Sequence, residues 1–262
     1  MKILVTNDDG IDTPGLWAAV KELHKVGEVR VIAPWREQSG VGASITLRQS
    51  IKVNKVTSQL NGVEAYSVEG TPADCVIVGI RSLFSGEIDL VVSGINRGPN
   101  IGHDVFVSGT VGAALQGYLR GIPSLAISVN GYEDLDFEAS ARIAALLAVR
   151  IKNGMLPRQI LLNVNLPNLP AQRISGIEIT ELSKQSYCDT VERDQNSEGA
   201  YYRIKRNNKD KNGYYANRET DIWALQLNRG SITPLLNSSD VNPLEAHLQD
   251  LAHTIYSELC CY

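Results

Sequence analysis

Through residue 165 the sequence alternates short, β-branched apolar runs with segments whose apolar residues recur at helical spacing. That alternation predicts a mostly parallel α/β sheet covered by helices. The first run, residues 2–6, has no polar alternation and reads as a strand buried on both faces. Pro14 then opens a helix carrying Leu16, Val20 and Leu23, which Gly27 ends. A second strand is expected at 29–33, stopping at Pro34, with further strand-like stretches at 45–47, 51–56 and 65–68. Thr71 as N-cap, Pro72 at the first helical position and Asp74 in the first turn mark a helix running to about Phe84. A strand at 89–93 feeds a polar loop at 94–108 and a helix from about 110 to 119. Strands at 125–129 and 160–165 flank a helix centred on 139–149.

After Pro170 the pattern changes. Residues 174–235 lack helical periodicity, and the stretch 201–219 carries Arg203, Lys205, Arg206, Lys209, Lys211 and Arg218 against Asp210 and Glu219. A solvated hairpin arm or loop accounts for it; steering of an anionic ligand or subunit contact is the functional alternative. A terminal helix is expected at 243–259, with Leu244, Leu248, Leu251 and Ile255 at helical spacing. There is no internal repeat and no low-complexity linker. The whole chain, 1–262, therefore reads as a single domain, with a core to about 170 and an arm and C-terminal helix beyond it.

At 43% hydrophobic and 21% charged, the 262 residues can fill such a core, which excludes a disordered chain. A net charge of −4 argues against general binding to nucleic acid or an anionic membrane. No run approaches membrane-spanning length, the apolar start stops at Asn7, and the four cysteines show no CxxC spacing. A reduced, cytoplasmic chain is the expectation.

Three polar clusters follow predicted strands, where ligands bind in open α/β sheets. In Asn7-Asp8-Asp9-Gly10 a buried strand delivers two adjacent carboxylates. These repel unless a cation such as Mg²⁺, Mn²⁺ or Ca²⁺ holds them, although an Asx-rich turn would use the same residues. Ser39-Gly40 offers a hydroxyl that either completes a metal shell or satisfies its own loop. The third cluster runs from Ser93-Gly94-Ile95-Asn96 to Gly102 and on to Ser108-Gly109-Thr110, where a glycine-rich helix start makes either a phosphate cradle or a close-packed contact. P-loop, dinucleotide and serine-hydrolase signatures are missing, and the histidines show no zinc spacing. His103 alone lies in the polar loop, as a candidate acid, base or substrate contact.

The start Ile3 to Gly10, Gln38-Ser39-Gly40, Gly70 to Cys75, Ser93 through Gly112 and Ser231-Ile232-Thr233-Pro234-Leu235 together resemble the survival protein SurE family of 5′-nucleotidases, in the right order over nearly the whole chain. The resemblance implies a metal-dependent phosphomonoesterase with a three-layer Rossmann-like core. It also implies a C-terminal hairpin arm and helix that build homodimers or homotetramers. Carried over residue by residue, one divalent ion per subunit, Mg²⁺ or Mn²⁺, would be held by Asp8, Asp9, Ser39 and Asn96. Asn7, Ser108, Gly109 and Thr110 match positions near metal or phosphate, with Asp8, Asp9 and Asn96 as the catalytic set. Asp221 also matches the family pattern, without a catalytic role carried over. The longer, more basic stretch before Asp221 departs from that pattern. The implied reaction is hydrolysis of a nucleoside 5′-monophosphate by metal-activated water, with short polyphosphate as a further family substrate. Two alternatives stand beside it: a haloacid-dehalogenase-type phosphatase working through phosphoaspartate, for which the DxD spacing is missing, and a non-catalytic nucleotide sensor.

Overall fold

The computed structural model describes residues 1–84, 88–184, 188–194, 201–207, 217–236 and 241–260. Six parallel strands form the body of one sheet: β1 (Lys2–Thr6), β2 (Glu28–Pro34), β4 (Glu64–Val68), β5 (Leu90–Arg97), β6 (Ser124–Asn130) and β7 (Leu161–Pro167). The antiparallel β3 (Val53–Val56) closes one edge beside β4. At the other end β11 (Gly230–Leu235) runs antiparallel to β7 and carries β8 (Ile177–Ile179) on its outer side, giving the order β3-β4-β2-β1-β5-β6-β7-β11-β8. A separate antiparallel hairpin, β9 (Cys188–Asp194) with β10 (Tyr201–Asn207), forms the arm.

Side chains of successive strand residues point to opposite faces, so β1 feeds two cores. Ile3 and Val5 pack with the helices α1 (Pro14–Leu23), α4 (Glu138–Lys152) and α6 (Val241–Cys260), whereas Leu4 packs with α2 (Pro72–Val78). The helix α3 (Gly109–Tyr118) lies beside α2 and packs Ala113 and Ala114 onto that second face. Three layers result. Burying these strands on both faces is the main source of their stability, about 25 cal/mol per Å² of apolar surface. On the outer layer, Arg150 of α4, only 7% exposed, is paired at 2.5 Å with Glu258 of α6.

The expected helix at Thr71 is present, closed by a capping box in which Thr71 and Asp74 exchange hydrogen bonds. It is α-helical only to Val78 and continues as a π-helical turn, Gly79–Leu83. Other expectations change. The stretch 45–47 is not a strand, because the Thr46 N–H and hydroxyl donate to Asp74 at 2.8 and 2.7 Å instead of joining a ladder. Residues 94–97 are not loop; they extend β5 past a register shift between Ser93 and Asn96. Gly94 permits this, since a Cβ there would lie 2.3 Å from the Ile127 carbonyl oxygen. Among the described residues between β10 and β11 lies a short helix, α5 (Asp221–Gln226), capped by Thr220 and too brief for a periodic signal. The basic stretch is only partly visible: residues 208–216, with Lys209, Asp210 and Lys211, lie outside the described residues, as do Cys261 and the side chains of Cys188 and of Leu244 at the start of α6.

Candidate metal and phosphate site

A cavity of about 390 Å³ opens at the carboxyl ends of β1, β2 and β5, walled by Asp8, Ser39, Asn96 and Ser108, with Arg97, Gly98, Pro99, Asn100 and Tyr132 across from the glycine loop at Gly40 and Val107. Each strand stops where its apolar run stops, so the polar residue that follows is delivered to the same rim.

Asp8 is 3% exposed, and the first turn of α3 is built onto it. The Thr110 hydroxyl donates to Asp8 Oδ1 at 2.5 Å, and the Thr110 N–H is directed at the same carboxylate. Burial nevertheless pushes the Asp8 carboxyl up to about 7, with the neighbouring Asp9 charge adding to the rise against the Thr110 hydrogen bond. Asp9 is also raised by burial, although the Arg97 N–H at 3.2 Å and the Arg97 charge pull it back and Glu37 opposes them. Ser39 reaches the rim because the Gln38 N–H donates to the Asp8 carbonyl at 2.7 Å; its hydroxyl donates to Glu37 Oε1 at 2.8 Å. Asn96 donates its amide to the Gly98 carbonyl at 2.7 Å, so the side-chain oxygen is the donor it has left for a cation.

These groups fit a hard divalent ion. The Asp8 carboxylate, held at the start of a helix away from water, shares the cavity wall with the Ser39 hydroxyl and the Asn96 amide. Asp9, the next residue in the chain, is not on that wall and accepts from the Arg97 N–H beside it; together they offer an all-oxygen set suited to Mg²⁺ or Mn²⁺. Among the described residues no group of three or more His, Cys, Asp or Glu side chains is placed to hold a metal, so a shell built on Asp8 and Asp9 would need the Ser39 hydroxyl and the Asn96 amide oxygen to complete it.

The predicted phosphate contacts divide. Ser108 walls the cavity and caps α3 by accepting from the Val111 N–H at 3.2 Å. Thr110 spends its hydroxyl on Asp8, and Gly109 serves a close approach: a Cβ there would lie 2.8 Å from Asp8 Cβ. Asn7, expected near metal or phosphate, shapes the turn that follows β1. Its amide donates to the Gly10 carbonyl at 3.0 Å and to Thr13 at 2.8 Å, its oxygen accepts from the Gly10 N–H, and it is fully buried off the cavity wall. His103 is exposed on the 3₁₀ segment Gly102–Phe106, its ring 6.3 Å from that of Phe106, and is not part of the wall.

Arg97 and Asn100 on the wall come from the third polar cluster, without a role of their own assigned from sequence, and Tyr132 lies outside all three clusters. The one signal available for Tyr132 is position, since it follows the carboxyl end of β6 as Asp8 follows β1. Asn100 is locked by a buried amide network, its carbonyl accepting from Asn163 and Asn165 at 2.7 and 3.0 Å. Two residues on, the Gly102 N–H donates to the fully buried Asp221 at 2.7 Å; Asp221 also accepts from the Ser183 N–H at 2.9 Å, tying the site loop to the base of the arm.

The survival protein SurE family model matches residues 3–189. A 5′-nucleotidase SurE of Dehalococcoides mccartyi strain CBDB1 is 49% identical over 228 residues, 86% of this chain and 85% of that protein. One from Moorella thermoacetica is 45% identical over 237 residues, 90% of each. The crystal structure of the SurE protein from Aquifex aeolicus superposes with a TM-score of 0.76 at 36% identity, covering 95% of this chain and all of that one. With a family model spanning the site loops and two relatives matched over most of their length, this chain belongs to the SurE family.

Proposed function

We infer that the chain is a metal-dependent 5′-nucleotidase, which releases phosphate from nucleoside 5′-monophosphates. The observation that carries this reading is the buried Asp8 carboxylate beside Asp9, on a rim shared with Ser39, Asn96 and the start of α3. Relatives named 5′-nucleotidase support it. Asp8, Asp9, Ser39 and Asn96 would hold one divalent ion, Mg²⁺ or Mn²⁺. Bound there, the ion supplies Lewis-acid polarisation of the phosphoryl group and acidifies water. The protein's own groups do the rest. Thr110 fixes Asp8 in one orientation, the start of α3 favours the negative phosphoryl group, and Ser108 and Asn96 bound the space in which it lies. Ser39 donates its hydroxyl hydrogen bond to Glu37 and keeps its proton, which leaves the oxygen lone pairs for the cation. No observation favours a phosphoaspartate route or a purely binding role.

Purified protein should release phosphate from AMP or GMP with Mg²⁺ or Mn²⁺ and stop on chelation. Asp9→Asn should lower the rate about a hundredfold or more with an unchanged circular dichroism spectrum. An undiminished rate in Asp9→Asn would remove Asp9 from the site. The arm supports self-association into a homodimer or homotetramer: β9–β10 joins no other strand among the described residues and leaves Val191, Tyr201, Tyr202 and Ile204 exposed. A cytoplasmic setting is proposed from the free thiols of Cys75 and Cys260; among the described residues no helix is long and apolar enough to cross a membrane. One folding domain over 1–262 is supported by the single nine-stranded sheet that draws strands from both ends of the chain.

A further inference from the structure

Tyr132 is the one aromatic side chain on the cavity wall among the described residues, and it is 50% exposed. Its ring is seated on Gly98: a Cβ at that position would lie 2.6 Å from Tyr132 Cε1 and 3.0 Å from Cζ. Gly98 also has a φ of +99°, a conformation that a side chain would oppose. The carbonyl of the same glycine accepts from the Asn96 amide at 2.7 Å. One backbone unit thus joins a proposed metal ligand to the ring, and the ring is backed on one side and open on another. A metal and phosphate site alone has no use for such a surface, because phosphate and cation recognition call for charge and oxygen donors. An exposed, backed aromatic ring is the surface on which a nucleobase stacks. A cavity of about 390 Å³ lies in the range that accepts a small ligand.

We propose that Tyr132, seated on Gly98, is the specificity-determining platform for the nucleobase, so that nucleoside 5′-monophosphates are selected over sugar phosphates of the same charge. The proposal rests on the 5′-nucleotidase reading and adds what the leaving group must look like. Tyr132 supplies a flat apolar face and neither donates nor accepts a proton in the reaction. Any base with a π-face gains from it, so the platform predicts preference for a base over none rather than for one base over another.

The test uses the metal-loaded full chain with AMP and with ribose 5-phosphate, which shares the phosphate and sugar but has no base. In Tyr132→Ala the ratio of kcat/KM for AMP to that for ribose 5-phosphate should fall about tenfold, through KM for AMP rather than kcat. Tyr132→Phe keeps the ring and should retain the wild-type ratio. An unchanged ratio in Tyr132→Ala, or an equal loss in Tyr132→Phe, overturns the proposal. Failure of the nucleotidase reading is seen separately, as wild-type protein that releases no phosphate from AMP. In that case calorimetric titration of AMP decides: weaker binding to Tyr132→Ala than to wild type supports the platform, and equal binding overturns it.

Discussion

Asp8 sits 3% exposed against Gly109 and Thr110, with a second carboxylate as its chain neighbour. Its carboxyl is raised from 3.8 to about 7, first by burial and then by Asp9, so folding takes up a proton there. The cost of holding the charged form is absent below about pH 4, grows as pH rises through the interval, and is complete above about 7, where it is on the order of 4 kcal/mol. A bound cation offsets that cost. In a chelator, the thermal midpoint of wild type should therefore fall between pH 4.5 and 7.5 by several degrees more than that of Asp8→Asn, and Mn²⁺ should restore it; parallel pH slopes for the two proteins would show that Asp8 carries no such cost. At this scale the sequence was informative about residues that follow an apolar run: Asp8 and Ser39 fall on one cavity wall because β1 and β2 end together, with Asp9 next to Asp8 in the chain. It was silent about roles set by a partner far along the chain. Nothing near Asn7 says that its amide is consumed by Gly10 and Thr13, and nothing near Tyr132 says that it rests on Gly98.

Among the elements, α3 does the most to hold the site together, and it does so with small residues. Its Gly112 presses on the Ser39 loop so closely that a Cβ would lie 2.4 Å from the Gly42 carbonyl oxygen, while Gly42 donates to the Val107 carbonyl at 2.9 Å. Two effects compete in Gly112→Ala. Alanine gains about 1 kcal/mol of helix propensity, but the contact is with backbone, which cannot swing aside, and overpacking of this kind costs about 1–3 kcal/mol. Overpacking should win. Urea denaturation should show a net loss of about 1 kcal/mol, and Mn²⁺ titration should show weaker binding, since the loop that moves carries Ser39. A more stable Gly112→Ala protein with intact metal affinity would mean that the loop yields freely. The helix itself was legible from its N-terminal signals, as was α2 from Thr71 and Asp74. Neither α5, at six residues, nor the extension of β5 through Asn96 had a local signal, because the first is too short for a period and the second depends on its register with β6.

For the whole molecule, the parallel half of the sheet could be read in advance because strands buried on both faces announce themselves as unbroken apolar runs. The far edge could not. β8 has three residues, and β11 belongs between β7 and β8 only through pairings such as Ile232 with Val164 and with Ile179, which span long stretches of chain. A chain ended at residue 229 should therefore fail as a soluble protein. It would lack β11 and α6, leave β7 as an unpaired edge and expose the surface that Leu248, Leu251, Ile255 and Leu259 cover. Expression of that truncation beside the full chain, followed by size-exclusion chromatography and proteolysis, checks it; a protease-resistant monomer would show that the sheet holds without β11 and α6.

The insertion of β11 also bears on how the protein is made. β7 ends at Pro167 and β11 begins at Gly230, so at about 5–20 residues per second several seconds of translation separate a strand from the neighbour that completes it. During that interval the nascent chain on the ribosome presents the open hydrogen-bonding edge of β7, and β8 emerges with no place to dock. The last strand to leave the exit tunnel is thus the one that seals the sheet, which makes this fold a customer for whatever shields strand edges during synthesis.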